Sequence, residues 1–469
     1  MVSLYQLLQR ATDITDNSKE VRNGSIFFAI RGTKTDGHNF VGEVLKKKPL
    51  AVVVEEDFNT ESLNTSVPIL KVKNTRKAFA EACRIFYRYP DRELKVFGIT
   101  GTNGKTSTSY IIAYLLNALG VRSGVIGTIE YRYADKVYGK GWTTPHPKVW
   151  FKTLRQMAKD GAEAVCAEIS SHALDQYRVW GTEFEGVIFT NLTRDHLDYH
   201  RTLEDYFNAK RKLFSEYTYR VATVCGDDPF GFKLKEEFNF KSFGFREHNE
   251  YRISEAEVSL TGSKFKLQTP EGIFEINSPL AGEFQIYNLA GALALLNLSG
   301  FPMEELTAAV PQIGQIPGRF EVVVREPFTV IVDYAHTPDA LEKLLGSVRK
   351  VSKGRVITVF GAGGNRDRTK RPLMGAAAER YSDLVVITSD NPRFEEPTKI
   401  IEDILNGIKD TSKVLIEPDR RSAIHLALKM AKEGDTVVIA GKGHEDYQEI
   451  KGERFPFSDR EEVLKFLEG

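Results

Sequence analysis

The chain has 469 residues, 41% of them hydrophobic and 27% charged, which is the composition of a globular protein too long for one ordinary core. Its 64 basic residues equal its 64 acidic residues, so no overall charge attracts nucleic acid or an anionic membrane. The three cysteines, Cys83, Cys166 and Cys225, lie far apart in sequence, which argues against a disulfide framework or a zinc site.

The N-terminal residues lack the basic start and the apolar stretch of a secretory signal. No segment approaches the roughly 18 apolar residues that are needed to cross a bilayer. We therefore expect a cytoplasmic protein with no membrane insertion. A monomer without a nucleic-acid partner is also expected.

Short runs rich in valine and isoleucine alternate with longer helical patterns along the chain. These runs are residues 51–54, 96–100, 164–169, 186–190, 355–360, 384–388 and 436–440. Continuous apolar strands are typical of parallel sheets covered by helices on both faces, so the sequence predicts an α/β protein. Several runs lead directly into Gly, Ser, Asp or Asn, and ligands bind at the carboxyl ends of such strands.

Two connector-like segments divide the chain. Residues 89–92 precede the strand that enters a glycine-rich loop, and residues 313–318 contain the glycines and proline of a linker. Between about 250 and 285, apolar and polar residues alternate, which predicts antiparallel strands appended to the central domain. Domains are therefore expected at residues 1–92, 93–316 and 317–469.

Residues 96–106 predict a strand, a glycine-rich turn and the start of a helix. Glycines let backbone N–H groups close around phosphates, Lys105 supplies positive charge, and the Thr106 hydroxyl can ligate Mg²⁺. The glycines lie at positions 98 and 101, so the usual phosphate-loop spacing is met only in variant form. A chance glycine turn before a helix is the alternative, but the segment favours a nucleotide site.

Acidic and histidine residues follow the next two predicted strands. Glu168 ends one strand, and the next is followed by Asp195, His196 and Asp198. A carboxylate beside a phosphate loop suits Mg²⁺, a hard ion that prefers oxygen ligands. Asp195 and Asp198 are equally compatible with helix caps, and Lys210 with a solvated lysine on an amphipathic helix.

The loop at residues 100–106 (Thr-Gly-Thr-Asn-Gly-Lys-Thr) resembles that of the Mur ligases and folylpolyglutamate synthetases, and later segments resemble the Mur branch over nearly the whole chain. The resemblance implies a three-domain α/β architecture with a central P-loop parallel sheet and a C-terminal Rossmann-like domain. It also implies ATP and Mg²⁺ as cofactors. The residues that match ATP-binding positions are Gly101, Thr102, Asn103, Gly104, Lys105, Thr106, Ser107, Asn288, Arg319, Asp333 and His336. His336 by itself is also compatible with a structural role.

The resemblance assigns the metal chemistry to four residues. Glu168 and Thr106 are expected to hold one Mg²⁺ between the ATP phosphates, and His196 to help hold a second. Lys210 matches a lysine that is N-carbamoylated in the family, which turns an ammonium into a carboxylate-like group. The expected catalytic set is Lys105, Glu168, His196 and Lys210.

The resemblance also places two substrates. In the first domain, Ser18 and His38, the latter in a polar segment at residues 30–38, match uridine-binding positions; the family often has Asp-Ser-Arg where this chain has Asn-Ser-Lys at 17–19. The residues that match muramoyl-dipeptide positions are Thr143, Thr144, Ser170, Gln176 and Arg178. Those that match diaminopimelate positions are Arg366, Asp390, Asn391, Pro392, Arg393, Gly441 and Glu445.

Arg393 carries the most discriminating signal, because diaminopimelate has a second carboxylate that lysine lacks and a planar guanidinium can grip it with two hydrogen bonds. The expected activity is ATP-dependent addition of meso-diaminopimelate to UDP-N-acetylmuramoyl-L-alanyl-D-glutamate through an acyl phosphate, in peptidoglycan synthesis. The last domain is expected to move and exclude water from that intermediate. The alternatives are the same ligase using L-lysine or another diamino acid, a polyglutamylating folate ligase, and a P-loop switch or motor ATPase without ligase activity.

Overall fold

The structure, a computed structural model, describes residues 3–32, 35–61 and 63–468. Thr33 and Lys34, in the polar segment of the first domain, lie outside the described residues, as does the side chain of Asp198. Within the described part, no helix combines the length and apolar character needed to cross a membrane. The chain folds into two compact units, the first formed by Met1–Gly101, Gly120–Phe189 and Glu204–Ala222 and the second by Thr102–Leu119, Thr190–Leu203 and Thr223–Gly469.

The strands of the described residues are β1 Asp13–Thr15, β2 Ser25–Phe28, β3 Ala51–Glu55, β4 Ile69–Val72, β5 Lys95–Thr100, β6 Ser123–Ile126, β7 Tyr131–Tyr133, β8 Lys136–Gly139, β9 Ala164–Glu168, β10 Glu183–Phe189, β11 Thr218–Cys225, β12 Lys241–Gly244, β13 Tyr251–Ser259, β14 Gly262–Thr269, β15 Gly272–Ser278, β16 Glu321–Val324, β17 Thr329–Asp333, β18 Val356–Phe360, β19 Leu384–Ile387, β20 Val414–Ile416, β21 Thr436–Ala440, β22 Tyr447–Ile450 and β23 Glu453–Pro456. The α-helices are α1 Leu4–Leu8, α2 Val41–Lys46, α3 Thr75–Phe86, α4 Lys105–Ala118, α5 Pro147–Lys159, α6 Ser171–Asp175, α7 Leu197–His200, α8 Leu203–Ser215, α9 Pro229–Phe238, α10 Glu283–Leu298, α11 Met303–Ala309, α12 Pro338–Val351, α13 Lys370–Tyr381, α14 Pro397–Leu405, α15 Arg420–Met430 and α16 Asp459–Glu468.

The first unit begins with a parallel sheet in the order β1-β2-β3-β4. Phe27, Val52 and Val54 from its strands are fully buried in one hydrophobic cluster with Val41 of α2. Helix α3 begins where the Asn74 side chain accepts a hydrogen bond from a backbone N–H of the first turn, as an N-cap does.

The rest of the first unit contains a sheet with the order β10-β5-β9-β6-β7-β8. Strands β10, β5, β9 and β6 are parallel, whereas β7 and β8 form an antiparallel edge. Strand β9 is buried at every position, as is typical of a strand with both faces covered. In the register, Ile99 of β5 lies opposite Glu168 at the end of β9. The predicted central parallel sheet with a glycine-rich loop is thus confirmed.

In the second unit, the last residues of β11 pair in parallel with β12, and β12 pairs in parallel with β13. Strands β13, β14 and β15 then form an antiparallel meander, which confirms the prediction from the alternating segment near 250–285. Helix α10 is mostly apolar, with 11 of its 16 residues buried, and it packs against α4. It carries Asn288 in this buried position.

The second unit also contains a six-stranded sheet in the order β16-β17-β21-β18-β19-β20, parallel except for β16. Helices α12 and α13 contribute to the core on one face, and α15 and α16 to the core on the other. The last parallel strand in sequence, β21, lies between β17 and β18. This doubly covered parallel sheet confirms the predicted Rossmann-like region, and its strand order creates a switch point at the carboxyl ends, where ligands bind in such folds.

Candidate active site

The glycine-rich loop connects the end of β5 to the first residue of α4, Lys105. Gly104 is the N-cap residue of α4 and has φ +86°. A Cβ atom at Gly104 would lie 2.3 Å from Oδ1 of Asn288, so both the backbone conformation and the available space require glycine. The backbone N–H groups at the start of this long helix are suited to phosphate.

Residues that follow β10 hold the loop in its conformation. The backbone N–H groups of Thr102 and Asn103 donate to the carbonyl and side-chain oxygens of Asn191 at 2.8 and 2.9 Å, respectively. The backbone N–H of Thr193 donates to Oγ1 of Thr102 at 3.0 Å. Lys105 Nζ donates to the carbonyl oxygen of Thr102 at 2.9 Å, which keeps its positive charge at the loop. Sequence reasoning missed the role of Asn191, although a polar residue directly after a buried strand was a usable signal.

Two predicted ATP residues contact the loop or its helix. Nη2 of Arg319 donates to Oγ1 of Thr106 at 3.1 Å, and the Arg319 guanidinium lies over the Tyr334 ring, 4.4 Å from its centre. Oδ1 of Asn288 accepts from the Thr108 hydroxyl at 3.5 Å, on the first turns of α4. Ser107, the last of the predicted loop residues, is buried in α4.

Asp333 and His336 shape the segment after β17. Asp333 accepts from the backbone N–H groups of Phe320 at 2.6 Å and Ala335 at 2.8 Å. Burial raises the pKa of the Asp333 carboxyl, although the charge of Arg319 opposes that rise. The Nδ1 atom of His336 lies 2.8 Å from the carbonyl oxygen of Tyr334. Asp333 therefore arranges the backbone around Arg319.

Asp339 is a further loop contact that sequence reasoning missed. Its Oδ2 atom accepts from Nδ2 of Asn103 at 3.1 Å and from Nζ of Lys343 at 2.9 Å. Asp339 lies in the first turn of α12. No sequence signal linked it to the loop, because it is 236 residues from Asn103.

Glu168 is a buried carboxylate in the first unit, with 1% of its surface exposed. Its Oε1 atom accepts from the backbone N–H of Thr128 at 2.8 Å, and its Oε2 atom accepts from the Thr128 hydroxyl at 3.0 Å. A Cβ atom at Gly127 would lie 2.2 Å from Oε1 of Glu168, so this approach requires glycine. The Thr128 hydroxyl is also 3.0 Å from that of Thr143. Thr128 thus joins the predicted metal ligand to a predicted substrate residue.

Lys210 lies on α8 and is buried, with 1% of its surface exposed. The interpretation of this residue as a solvated lysine is therefore wrong. Its Nζ atom donates to the carbonyl oxygen of Gly101 at 2.7 Å and lies 4.5 Å from the centre of the Tyr206 ring. The amphipathic pattern could not reveal this burial, because it does not show how far the polar face is covered.

His196 and Asp195 follow the loop-supporting segment in the second unit. His196 itself, with φ +52°, is the N-cap of α7, so the interpretation of Asp195 as the cap is wrong. Nζ of Lys370 lies 2.9 Å from Oδ1 of Asp195, and Nε2 of His196 lies 3.6 Å from its Oδ2. Burial raises the pKa of Asp195, but the charges of His196 and Lys370 outweigh it and hold that pKa far below its usual range.

The predicted uridine residues lie in two short 3₁₀ helices, Ser18–Glu20 after β1 and Gly37–Phe40 after β2. His38 is buried; its Nε2 atom accepts from the backbone N–H of Glu55 at 3.0 Å, and its Nδ1 atom is 2.7 Å from Oδ1 of Asp36. Both ring nitrogens are therefore bonded within the domain, and the centre of the ring lies 5.1 Å from that of Phe58. The carbonyl oxygen of Ser18 accepts from Nζ of Lys47 at 2.7 Å.

Four predicted dipeptide residues form one cluster. The Thr144 hydroxyl donates to the carbonyl oxygen of Glu168 at 2.7 Å and accepts from the backbone N–H of Ser170 at 2.9 Å. Nη1 of Arg178 donates to the carbonyl oxygen of Thr144 at 2.9 Å, and its Nη2 donates to Oε1 of Gln176 at 2.8 Å. The exposed Trp142 ring, which sequence reasoning missed, lies 4.6 Å from the Arg178 guanidinium.

The predicted diaminopimelate residues meet at the carboxyl ends of β19 and β21. Arg393 has φ +52°; its Nη1 donates to the carbonyl oxygen of Gly364 at 2.8 Å, and its Nε lies 3.3 Å from Oε2 of Glu449. A Cβ atom at Gly441 would lie 2.6 Å from Oδ2 of Asp390, so the two segments approach closely enough to require glycine.

Arg366, Pro392 and Asn391 complete this group. A Cβ atom at Gly363 would lie 3.0 Å from Nη1 of Arg393 and 3.7 Å from Cγ of the exposed Arg366. A Cβ at the next glycine would lie 1.9 Å from the Pro392 carbonyl oxygen. Nδ2 of Asn391 donates to Oε2 of Glu445 at 2.9 Å. Both arginines thus lie close to Gly363.

Comparisons with known proteins identify the family of this chain. Three family models match the chain: the Mur ligase family catalytic domain at residues 11–87, the Mur ligase middle domain at 99–296, and the Mur ligase glutamate ligase domain at 318–443. A relative from Aquifex aeolicus, named UDP-N-acetylmuramoyl-L-alanyl-D-glutamate–2,6-diaminopimelate ligase, is 50% identical, covering 100% of this chain and 96% of the relative. A relative of the same name from Clostridium perfringens is 40% identical, covering 98% of this chain and 96% of its own length.

Solved structures give the same result for the fold. A structure of a UDP-N-acetylmuramoyl-L-alanyl-D-glutamate–2,6-diaminopimelate ligase has a TM-score of 0.71 and 35% identity, covering 98% of this chain and 95% of that one. The MurF ligase from Thermotoga maritima in complex with ADP has a TM-score of 0.60 and 20% identity, with 98% of both chains covered. The relative from Aquifex aeolicus is 50% identical over the full chain, and the three family models cover most of its length. This chain therefore belongs to the Mur ligase family of ATP-dependent acid–amino-acid ligases.

Proposed function

We propose that this ligase adds meso-2,6-diaminopimelate to UDP-N-acetylmuramoyl-L-alanyl-D-glutamate in peptidoglycan synthesis, with ATP converted to ADP and phosphate. Relatives of that name that match over the full chain support the proposal. The observation that carries the choice of amino acid is the position of Arg393. Its guanidinium is held by Gly364 and Glu449 at the carboxyl edge of the sheet, beside Asn391 and Glu445.

Arg393 distinguishes diaminopimelate from lysine by charge and shape. A planar guanidinium binds a carboxylate with two parallel hydrogen bonds, and the terminal carbon of lysine carries no carboxylate. The contacts with Glu449 and Gly364 restrict the rotation of the guanidinium, so less conformational entropy is lost when a substrate binds. Arg366, which also lies close to Gly363, is proposed to bind the second carboxylate of the same amino acid.

ATP is proposed to bind the loop at residues 101–107, with Asn288, Arg319, Asp333 and His336 contributing from the rest of the second unit. Lys105 offsets the negative charge of the phosphates, so a substrate carboxylate can approach and attack the terminal phosphorus. The carboxylate oxygen forms a bond to phosphorus, the bond to the ADP oxygen breaks, and the resulting acyl phosphate is attacked by the amine. Phosphate then leaves with the former carboxylate oxygen.

Mg²⁺ is proposed as the second cofactor, and the chemistry of each candidate ligand fits it. Thr106 offers a hydroxyl and Glu168 a buried carboxylate, both of which are oxygen donors. Lys210, as a carbamate, would supply another carboxylate-like group, and His196 an imidazole nitrogen. Bound Mg²⁺ would neutralise phosphate charge; Thr128 orients Glu168 with two hydrogen bonds.

The nucleotide-linked dipeptide is proposed to bind in the first unit. Ser18 and His38 would contact the uridine. Arg178, oriented by Gln176 and Thr144, would bind a carboxylate or pyrophosphate oxygen, with Thr143 and Ser170 as neighbours. We also propose a cytoplasmic monomer whose domains span residues 1–92, 93–316 and 317–469; each family model falls within one of these ranges.

The test is ATP-dependent phosphate release with the dipeptide substrate, comparing meso-diaminopimelate with L-lysine. Wild type is expected to require the dipeptide and to prefer diaminopimelate strongly, and Arg393→Ala to lose most of that preference. Arg380→Ala is the matched control, because Arg380 is exposed on α13 and pairs only weakly with Glu342 at 3.1 Å. Equal use of L-lysine by wild type would refute the role of Arg393, and phosphate release without either substrate would refute the proposed ligase reaction.

A further inference from the structure

Lys442 is a completely buried lysine in the turn that follows β21, with 0% of its surface exposed. Its Nζ atom lies 3.0 Å from Oδ1 of Asn391, 3.1 Å from Oε2 of Glu445 and 3.9 Å from Oδ1 of Asp390. The centre of the Tyr447 ring is 5.5 Å away. Burying an ammonium group costs free energy unless the group is paired and hydrogen-bonded. These contacts therefore fix the position of the Lys442 side chain.

The hydrogen bonds of Asn391 show that its amide has one orientation. Its Oδ1 atom accepts from Nζ of Lys442 and from the backbone N–H of Glu449 at 2.8 Å. Its Nδ2 atom donates to Oε2 of Glu445 at 2.9 Å. Turning the amide by 180° would place its NH₂ group against two donors and its oxygen against the acceptor Oε2 of Glu445. Asn391 therefore acts as a fixed link between Lys442 and Glu445.

The two oxygens of Glu445 are placed in different environments by this link. Oε2 accepts from both Asn391 and Lys442, and these bonds also fix the plane of the carboxylate. Oε1 takes part in neither bond. The backbone N–H of Glu445 donates to the carbonyl oxygen of Lys442 at 2.9 Å. Lys442 therefore positions Glu445 through both its backbone and its side chain.

We propose that Lys442 is a positioning residue for the amino-acid substrate. By occupying Oε2 of Glu445, it directs Oε1 to accept a hydrogen bond from the ammonium group that shares a carbon with the carboxylate bound by Arg393. This inference rests on the proposed function, since it assumes that a diamino dicarboxylic acid binds here. Arg393 then binds the carboxylate of one amino-acid end of the substrate, and Glu445 binds the ammonium group of the same end.

Removing the Lys442 ammonium group has a defined consequence in this geometry. Glu445 would keep only the Asn391 amide as a partner for Oε2. Its carboxylate and that of Asp390 would lose the nearby charge of Lys442 and keep the electrostatic interaction with Arg420. The Glu445 side chain could then rotate, and Oε1 would no longer face the substrate ammonium. Because Lys442 touches Glu445 and Asn391 rather than the reacting atoms, binding of the amino acid is expected to suffer more than turnover.

The experiment uses the full chain with ATP and the dipeptide, and compares meso-diaminopimelate with 2-aminopimelate, which has both carboxylates but one amino group. Lys442→Met is expected to raise KM for diaminopimelate by roughly 10- to 150-fold, the loss expected for a hydrogen bond to a charged group. KM for ATP should be unchanged. The preference for diaminopimelate over 2-aminopimelate should fall towards one, and Lys442→Arg should restore part of it. Lys432→Met, at an exposed lysine between α15 and β21, is the control.

A merely structural role for Lys442 would lower activity equally with both amino acids, so an unchanged preference in Lys442→Met would overturn the inference. If that variant does not fold, Lys442→Gln, which retains a polar donor without the charge, gives the same comparison. Failure of the proposed function is distinguishable, because wild type would then not turn over diaminopimelate at all.

Discussion

Arg420 and Asp459 form a buried ion pair whose removal should loosen the amino-acid end of the sheet. Neither side chain is exposed, and Nε and Nη2 of Arg420 each lie 2.7 Å from one carboxylate oxygen of Asp459. Nη1 also donates to the carbonyl oxygen of Ser389 at 3.3 Å, and Nη2 to that of Ala440 at 3.1 Å. The pair therefore links the ends of β19 and β21, the two strands that lead into the proposed diaminopimelate residues.

Removing one partner leaves the other charge buried without compensation, which costs about 3–5 kcal/mol. Arg420→Met and Asp459→Leu are each expected to lower the free energy of opening by that amount. The double variant should lose less than either single variant, because it leaves neither charge buried and unpaired. At 1.36 kcal/mol per decade, the single variants should speed exchange by roughly two to four orders of magnitude.

Native-state hydrogen exchange, measured by mass spectrometry on peptides covering 384–388 and 436–440, reports this opening directly. Arg380→Met, which breaks a pair whose side chains are 68% and 49% exposed, is the control and should change protection by less than about 1 kcal/mol. Single variants with wild-type protection, or a double variant with the summed loss, would refute the assignment of this pair as the link between the strands.

Two further predictions concern the nucleotide loop and the acid stability of the second unit. Gly104→Ala should weaken binding of a fluorescent ADP analogue about tenfold or more, because a Cβ there meets Oδ1 of Asn288 at 2.3 Å and φ is +86°. Gly42→Ala should leave the affinity unchanged, because among the described residues beyond its neighbours in the chain and helix no atom lies within 4 Å of the added Cβ. Equal affinities of wild type and Gly104→Ala would contradict this effect of packing. The Arg371 guanidinium lowers the pKa of Glu395 to about 2, so this pair stabilises the fold above the unfolded carboxyl pKa of about 4.3 and the stabilisation is lost as pH falls towards 2. The difference in Tm between wild type and Arg371→Met should accordingly shrink between about pH 6 and about pH 2. A difference in Tm that stays constant with pH would refute the stabilisation of the fold by ionised Glu395.

The sequence by itself predicted several strands to within a residue or two. The runs at 164–169, 384–388 and 436–440 are β9 Ala164–Glu168, β19 Leu384–Ile387 and β21 Thr436–Ala440. Continuous apolar runs identify strands covered on both faces, because only such strands bury every side chain. The glycine-rich loop was predictable for a similar reason, since its backbone conformation requires glycine at fixed positions such as Gly104.

Burial of charged side chains was not predictable from these local patterns. Lys210 is compatible with a solvated surface lysine in sequence, yet it is buried and bonded to the carbonyl oxygen of Gly101. Lys442 lies inside a motif that the sequence singled out, but its role depends on Asn391, which is 51 residues away. Local periodicity indicates which face of an element is apolar and does not identify what covers the polar residues.

Strand order and long-range contacts were decided only by the tertiary structure. No local pattern places β21 between β17 and β18, joins Asn103 to Asp339, or joins Thr128 to Glu168. Sequence determined the elements, the phosphate loop and the residue types of the site, because these follow from short-range periodicity and backbone preference. The tertiary structure decided which side chains orient one another, because hydrogen bonds between distant segments depend on how the whole chain packs.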